Sequence, residues 1–478
     1  MSTTSPAPTG RFPLSAAVAT ARLAGRAARL GGRGGTSLPG KVLTRLRPDA
    51  IARMSDRLDE GSVVLSATNG KTTTAALVAS ILELHGTTLV HNRQGANMAG
   101  GIAASLLGSW RHGRPTGALG LFEVDEFWLD GLVRSLRPRV VLLANLFRDQ
   151  LDRYGELEAI ADRWHEIVAD DAARTAAGDG PGFRLVLGSD DPAVADLGLD
   201  RDDVLYFGVQ DVSVAREVAD HASDATTCRV CGASYVYTAT FVGHLGHYRC
   251  PACGHRRPDP QVTAERVVLD ATRGSSFDLV LPDTTVPVRL HLPGLYNVYN
   301  ALGAAALTHA LGVPAATIAE GLGTTAAAFG RAETVTVGDR ELQLLLVKNP
   351  AGANEVARTL ALAEGELDLL AVLNDRIADG RDVSWIWDAD LEAIAGRVRH
   401  VTCAGSRAEE MAVRWKYAGV ASSRIAVVKD GVGAALDHAL AAAPEDHAVP
   451  IHAIPTYTAM LELREELVRR GAAKGSFA

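Results

Sequence analysis

From Ser62 onward, short apolar runs alternate with stretches of helical period. The runs SVVLSA, TLVHN, GALGLFEVD, RVVLLANL, FRLVLGSDD and VLYFGV are each long enough for one strand, and TTAALVASILELHG separates the first two as a helix. Strands recurring between helices predict right-handed crossovers and a mostly parallel sheet covered on both faces. The rhythm stops around residues 222–258, where a Cys/His/Tyr-rich segment with short β-like runs intervenes, and it resumes at ERVVLDAT and SFDLVLP. A helix-rich stretch runs from Asn297 to about Leu322. Beyond Phe329 a second series, ELQLLLVK, LDLLAVLN, HVTCAG, RIAVVKD and HAVPIHAI, predicts a second α/β domain. Upstream, residues 11–30 form a basic amphipathic pattern broken by GGRGGTSLPG. We expect that helix to pack on the next domain, the alternative being a peripheral contact with an anionic membrane surface. The expected organisation is an N-terminal amphipathic and linker segment (1–45), a central domain (46–328) carrying an insertion at about 222–258, and a C-terminal α/β domain (329–478).

Composition narrows the function. With 478 residues, 47% apolar and 22% charged, the chain is an ordinary globular protein. Its formal charge of -8 leaves no global positive field for nucleic acid. No stretch reaches the roughly 18–20 apolar residues needed to span a bilayer, and the N-terminal apolar run is broken by Arg22 and Arg26 before signal-peptide length. Only six of the 48 cationic residues are Lys, so a Lys inside a motif is informative.

One of the six lies in Ala67-Thr68-Asn69-Gly70-Lys71-Thr72-Thr73, directly between the strand SVVLS and a helix. This is the placement of a phosphate loop: backbone N–H groups at a helix start cradle phosphate oxygens, Lys71 reaches the β- and γ-phosphates, and the Thr72 hydroxyl ligates Mg²⁺. The general pattern also asks for a Gly where this chain has Leu65. In Glu123-Val124-Asp125-Glu126, at the end of another strand, Glu123 is the candidate second Mg²⁺ ligand.

Four of the five cysteines form two Cys-x-x-Cys pairs, Cys228/Cys231 and Cys250/Cys253, separated by 18 residues. That spacing fits a closed tetrahedral zinc site of structural role, and unpaired thiols at this density suit a reducing compartment. His244, His247 and His255 lie close enough to compete as ligands. Cys403 follows an apolar run and is expected to be a buried small hydrophobe.

The string TNGKTT resembles the phosphate loop of the Mur ligase superfamily, and further resemblances follow in order. EVDE resembles its strand-end Mg²⁺ glutamate, NLFRDQLDRYGE its Asn-rich motif, and SDDP its Asp-Asp-Pro turn. GLYNVYNALGAAA resembles the helix whose Asn, here Asn300, contacts the nucleotide, and FGRAE resembles the hinge carrying Arg331. About 60 residues precede the loop, so the superfamily's UDP-sugar-binding first domain is expected to be missing, and Asp149-Gln150 stands where many members have Asp-His. The strings KNPAGANEV, LNDRIADGRDVSWIWDAD and IPTYTAML, with the cysteine insertion, are similar to the MurT family, the ligase-like subunits of lipid II isoglutaminyl synthases.

That resemblance implies a Mur ligase-like α/β fold, a P-loop domain with an inserted four-cysteine zinc ribbon followed by a C-terminal α/β domain. It implies ATP-dependent amidation of the D-glutamate α-carboxylate of lipid II through an acyl phosphate, as a carbon–nitrogen ligase with glutamine as amide donor. ATP, Mg²⁺ and Zn²⁺ are the implied cofactors. Thr68, Asn69, Gly70, Lys71, Thr72, Thr73, Asn300 and Arg331 would hold the nucleotide, with Lys348 and Asn349 lining the cleft. Ammonia would come from a GatD-like glutaminase in a heterodimer, in the cytoplasm at the inner face of the membrane. The partner's catalytic triad would borrow an acid from Asp375, Asp379 or Asp382. Asp379, beside Gly380, is preferred because it is expected on an accessible turn, whereas Asp382 could equally cap a helix opening at Val383. Two other functions fit the residues: a Mur or folylpolyglutamate-type ligase that adds an amino acid, and a non-catalytic nucleotide-dependent scaffold whose ribbon recruits a partner.

Overall fold

The computed structural model describes residues 12–30, 37–92, 96–148, 157–216, 224–325, 331–443 and 449–473. Its first sheet is built on strands β1 (Ser62–Ser66), β2 (Leu89–His91), β3 (Leu119–Glu123), β4 (Val140–Leu143), β5 (Arg184–Gly188) and β6 (Val204–Val209). These pair in parallel in the order β2-β3-β1-β4-β5-β6. The chain then leaves the sheet for an antiparallel hairpin, β7 (Val236–Val242) and β8 (Leu245–Arg249). It returns as β9 (Val262–Asp270), parallel to β6, and finishes with antiparallel β10 (Gly274–Leu281) and β11 (Thr284–Leu290). The sheet is mostly parallel, as the alternation of runs predicts. Its antiparallel edge includes TTVPVRL, a segment too polar on alternate positions to stand out in the sequence.

Side chains alternate across the pleat and sort the sheet's two cores. Val63 and Leu65 of β1 and Val140 and Leu142 of β4 face one core with helices α4 (Lys71–Leu84), α8 (Leu295–Ala310) and α9 (Ala315–Thr324). Val64, Val141 and Leu143 face the other, with α1 (Leu14–Leu30), α2 (Leu38–Leu46), α3 (Ala50–Ser55), α5 (Ala99–Ser109), α6 (Leu129–Leu136) and α7 (Leu157–Ala176). Helix α1 buries Ala17, Val18 and Ala21 in that second core. Its Arg22 guanidinium donates to the Leu107 carbonyl at 3.4 Å and to the Trp110 carbonyl. No helix among the described residues is long and apolar enough to cross a membrane.

A second sheet, β12 (Arg331–Val337), β13 (Arg340–Leu345), β14 (Leu367–Val372), β15 (Val398–Ala404), β16 (Ile425–Val427) and β17 (Ile451–Pro455), has the order β12-β13-β17-β14-β15-β16. Only the β12–β13 pair is antiparallel. Between β13 and β14, Asn349 caps α10 (Pro350–Ala361): its Oδ1 accepts from the Gly352 N–H at 2.9 Å, and Pro350 occupies the first turn, where its missing N–H costs nothing. Cys403 is fully buried in β15 and burial pushes its thiol up to about 12, as expected of a small hydrophobe.

Trp164 of α7 is the largest fully buried side chain of the second core, and its indole N–H donates to the Glu126 carbonyl at 3.3 Å. Trp164→Ala is expected to cost about 3–5 kcal/mol of stability, read as a lower denaturant midpoint at unchanged m-value.

Candidate nucleotide cleft and thiol cluster

Strand β1 delivers the chain to residues 67–70, and α4 starts at Lys71. Gly70 makes this turn possible in two ways. Its φ of 86° is left-handed, and a Cβ there would lie 1.9 Å from Asn300 Oδ1. The loop is braced by Asn145, just past β4. Asn145 Oδ1 accepts from Asn69 N–H at 2.9 Å, its Nδ2 donates to the Asn69 carbonyl at 3.1 Å, and its own carbonyl accepts from Thr68 N–H at 2.9 Å. The Thr68 hydroxyl accepts from Phe147 N–H at 3.1 Å. Asn145 was not singled out from the sequence; its signal was the Asn at the strand end of NLFRDQ.

Lys71 is buried and its ammonium lies 2.8 Å from Glu126 Oε2, with a second bond to the Ala67 carbonyl. Burial alone would lower the ammonium's pKa. The opposing field and hydrogen bond of Glu126, with Glu123 and Asp125 behind it, outweigh that and hold it above its usual value. Glu126 answers in kind: burial works to raise its carboxyl, but Lys71 and Lys348 hold it below the ordinary range. Glu126, like Asn145, is a site residue that sequence reading missed, although it stands in the EVDE string. Beside it the Thr72 hydroxyl donates to Glu123 Oε1 at 3.1 Å. Glu123 is fixed at the end of β3 by Asn92, whose Oδ1 accepts from the Glu123 N–H at 3.0 Å and whose Nδ2 donates to its carbonyl at 2.8 Å.

These groups line a cleft of about 350 Å³ between the two sheets' domains, with Thr68, Asn69, Gly70, Thr73 and Asn300 on one wall and Lys348 and Tyr457 on the other. Asn300 is buried, holds Asn297 Oδ1 at 2.9 Å through its Nδ2, and accepts from the Thr74 hydroxyl at 3.4 Å. Asn349 meets the phosphate loop directly. Its Nδ2 donates to Asn69 Oδ1 at 3.0 Å, and Asn69 Nδ2 reciprocates at 3.4 Å. The backbone of Arg331 begins β12; its side chain, like Asp149 and Gln150, lies outside the described residues.

The three candidate aspartates separate. Asp379 is not on an accessible turn. It is buried, its Oδ1 accepts from Thr458 N–H at 2.7 Å, and its Oδ2 accepts from the Thr458 hydroxyl at 2.5 Å and the Arg376 N–H at 3.3 Å. The reason is the helix Tyr457–Arg469, whose N-cap Thr456 makes no side-chain cap, so a free N–H at the positive end of the helix draws the carboxylate inward. Asp375 is held by the Ser406 hydroxyl at 2.6 Å and by Arg407 Nε at 2.8 Å. Asp382 is exposed, its Oδ1 accepting from Ser384 N–H at 2.8 Å, and that N–H holds its carboxyl below the ordinary range.

The four paired cysteines converge. Their sulfur atoms all lie within 4.8 Å of one another, with Cys228 to Cys253 at 3.7 Å and Cys231 to Cys250 at 3.5 Å. A tetrahedral ion with bonds of about 2.3 Å to sulfur sets edges close to these values. Backbone N–H groups of Cys253 and Ala252 hold the Cys250 thiol down to about 6. Of the three histidines, His244 faces Asp191 at 3.3 Å and His247 bonds the Val209 carbonyl at 2.9 Å, while His255 stands beside the cluster, its Nδ1 3.9 Å from Cys228 Sγ and 2.9 Å from the Tyr235 hydroxyl and its Nε2 2.9 Å from Asp196.

Comparison with known proteins agrees with this geometry. Residues 66–247 match the family model of the Mur ligase middle domain, and residues 346–460 that of the MurT ligase C-terminal. The chain is 31% identical over 459 residues to the MurT subunit of lipid II isoglutaminyl synthase (glutamine-hydrolyzing) of Staphylococcus aureus, covering 95% of this chain and 97% of the relative. It is 33% identical over 441 residues to that of Streptococcus pneumoniae, covering 92% and 93%. Among solved structures, a pseudomurein peptide ligase type C from Methanothermus fervidus superposes with a TM-score of 0.66 at 23% identity, over 88% of this chain and 81% of the other. MurF from Acinetobacter baumannii gives 0.63 at 18%, over 91% and 81%. Both share the fold.

Removing one partner of the buried pair strands the other. Glu126→Gln is expected to destabilise the protein by about 3–5 kcal/mol. Because Glu126 titrates below its unfolded value, the charge contribution is fully present above pH 4.5 and is lost as pH falls through its depressed folded value. On the alkaline side it persists to pH 10.5 and fades only beyond, as pH climbs through the raised folded value of Lys71. Denaturant titrations of both proteins across pH measure this window.

Proposed function

The chain belongs to the MurT family of Mur ligases, and from that premise we propose that it is the ATP-consuming subunit of a lipid II isoglutaminyl synthase. It converts the α-carboxylate of the stem-peptide D-glutamate to an amide, with ammonia supplied by a GatD-like glutaminase in a heterodimer at the cytoplasmic face of the membrane. The observation that carries this reading is the interdomain cleft in which Lys71, Thr72, Glu123 and Asn300 meet Lys348 from the opposite domain.

The substrate carboxylate attacks the γ-phosphorus, the bond to the β-phosphate oxygen breaks and ADP leaves. Ammonia then attacks the acyl carbon, inorganic phosphate departs, and a proton is lost from nitrogen to leave the amide. Positioning and charge neutralisation are what a protein contributes to such a transfer. The N–H groups at the start of α4 receive the phosphates, Lys71 and Lys348 offset the charge developing between them, and Asn300 holds the nucleotide beside the loop. The Thr72 hydroxyl and the Glu123 carboxylate, 3.1 Å apart, would hold Mg²⁺, which would supply neutralisation of the phosphate charge. Closure of the two domains keeps water from the acyl phosphate, and the Asn69–Asn349 amide pair marks that closed contact.

Zinc is the ion that four converging thiolates of this spacing select, and a complete thiolate set leaves no position for water, so its role is structural. Of the three aspartates, Asp382 best suits completion of a partner's triad. It is exposed and ionised, as a group must be to orient a neighbour's imidazole, whereas Asp379 is occupied inside its own domain.

Incubating the purified chain with its glutaminase partner, ATP, glutamine and lipid II should give a product in which one OH is exchanged for NH₂. A residue-sized mass gain would instead show amino-acid ligation and overturn the proposal. Asp382→Asn should lower the partner's glutamine hydrolysis by about 10³–10⁴-fold while amidation from free ammonia continues. A strong chelator should release one zinc per chain, detected by a chromogenic indicator, and lower the melting temperature.

A further inference from the structure

The turn that carries Glu126 has a second side. Phe127 and Trp128, the next two residues, are 46% and 43% exposed, unusual for adjacent large aromatics. They line a separate cavity of about 680 Å³ formed with Thr44 of α2, Ala99 of α5, Asp130 and Ser135 of α6, and Arg163 and Glu166 of α7. The turn is held firmly. Asp125 N–H donates to the Asn97 carbonyl at 2.9 Å and Trp128 N–H to the Asp125 carbonyl at 3.0 Å, while Asp125 Oδ1 accepts from Phe127 N–H at 3.2 Å and Trp164 bonds the Glu126 carbonyl. Asn97, Asp125 and Glu126 line the nucleotide cleft, and Ala99, Phe127 and Trp128 line the second cavity. The two spaces are therefore contiguous across one rigid wall.

We propose that this second cavity is a saccharide subsite, holding a neutral, hydroxyl-rich sugar of the substrate against Trp128 while the substrate's carboxylate reaches into the cleft. The inference rests on the ligase reading above, since it requires a glycosylated substrate whose reacting acid lies one turn away. An aromatic face with polar groups converging around it is what an amphipathic ring needs. The polar groups are mostly acceptors. Glu166 is a carboxylate, Asp130 keeps lone pairs beside its 2.6 Å pair with Arg134, and the Thr44 and Ser135 hydroxyls spend their protons on the Gly40 and Gly131 carbonyls at 3.0 and 2.7 Å, leaving lone pairs outward. Such a wall suits a ligand rich in O–H and N–H donors. The lining cation, Arg163, is stacked on Phe127, so the wall offers less to a pyrophosphate, which carries only acceptors, than to a sugar, and it sets polar groups against a hydrocarbon tail. One ring is already committed: the Arg163 guanidinium lies 4.3 Å from the Phe127 centroid, which leaves Trp128 as the stacking surface.

The test compares two acceptors, the disaccharide pentapeptide and the same pentapeptide without sugar, both lacking a lipid tail. Trp128→Ala should raise KM for the glycosylated acceptor about tenfold more than for the bare peptide, and Trp128→Tyr should restore most of it. Saturation-transfer NMR with the disaccharide pentapeptide alone, without ATP or the glutaminase, should show sugar-ring contact in the wild type that Trp128→Ala removes. This readout survives even if no amidation occurs, so failure of the ligase reading and failure of the subsite are told apart. Equal effects on both acceptors, or no effect on either, would overturn the proposal.

Discussion

An ammonium as deeply buried as that of Lys71 stays charged only if an opposite charge is supplied from within the protein, and Glu126 supplies it at 2.8 Å. Much of the central domain is arranged to deliver these two groups to one point. Strand β1 brings the phosphate loop to the carboxyl edge of the sheet, and its neighbour β3, in register with Leu65 opposite Glu123, brings the acidic turn to the same edge. Gly70 must approach Asn300 too closely for any side chain, which seats α8 on the loop. Trp164 fixes the carbonyl of Glu126 from the far core. A charged group held ready in a low-dielectric cleft needs little reorganisation when a phosphate arrives.

The cysteine insertion is tied to the rest of the molecule by more than its thiols. The Asp190-Asp191 turn anchors its hairpin: Asp190 accepts from Arg257 Nε at 2.6 Å, from the Tyr299 hydroxyl at 2.5 Å and from Val209 N–H at 3.1 Å, and its carbonyl accepts from Gly246 N–H at 2.9 Å. Asp191 caps a short helix through Ala193 N–H at 2.9 Å and holds Leu146 N–H, next to Asn145, at 2.7 Å. On its other side the hairpin meets the C-terminal domain. The Phe241 carbonyl accepts from Arg216 Nε at 3.0 Å and from Arg358 Nη1 at 2.8 Å, and Arg216 also pairs with buried Glu355 of α10. Helix α10 is the one capped by Asn349, so the hairpin, the second domain and the phosphate loop form one mechanical chain.

What was legible in the sequence follows from how local each signal is. A strand, a glycine with a required left-handed turn and a helix start are written in adjacent residues, so the loop 67–73 could be read directly. Two Cys-x-x-Cys knuckles are likewise local, and only their convergence is tertiary. Asn145, Glu126 and Asn92 were harder to see because each acts on a segment dozens of residues away, and an isolated Asn or Glu in a loop carries no spacing of its own.

The amino-acid order alone determined the succession of strands and helices, the phosphate loop, the paired thiols and the two α/β units, because periodicity and short motifs depend on neighbours in the chain. Which carboxylate faces inward and which faces solvent was decided only by tertiary structure. Asp379 and Asp382 stand three residues apart in similar company, yet the free N–H of Thr458 draws one into the domain, while the other is satisfied by its own neighbour Ser384 and stays at the surface. Burial of a charge depends on the partner that compensates it, and that partner arrives from 79 residues further along the chain.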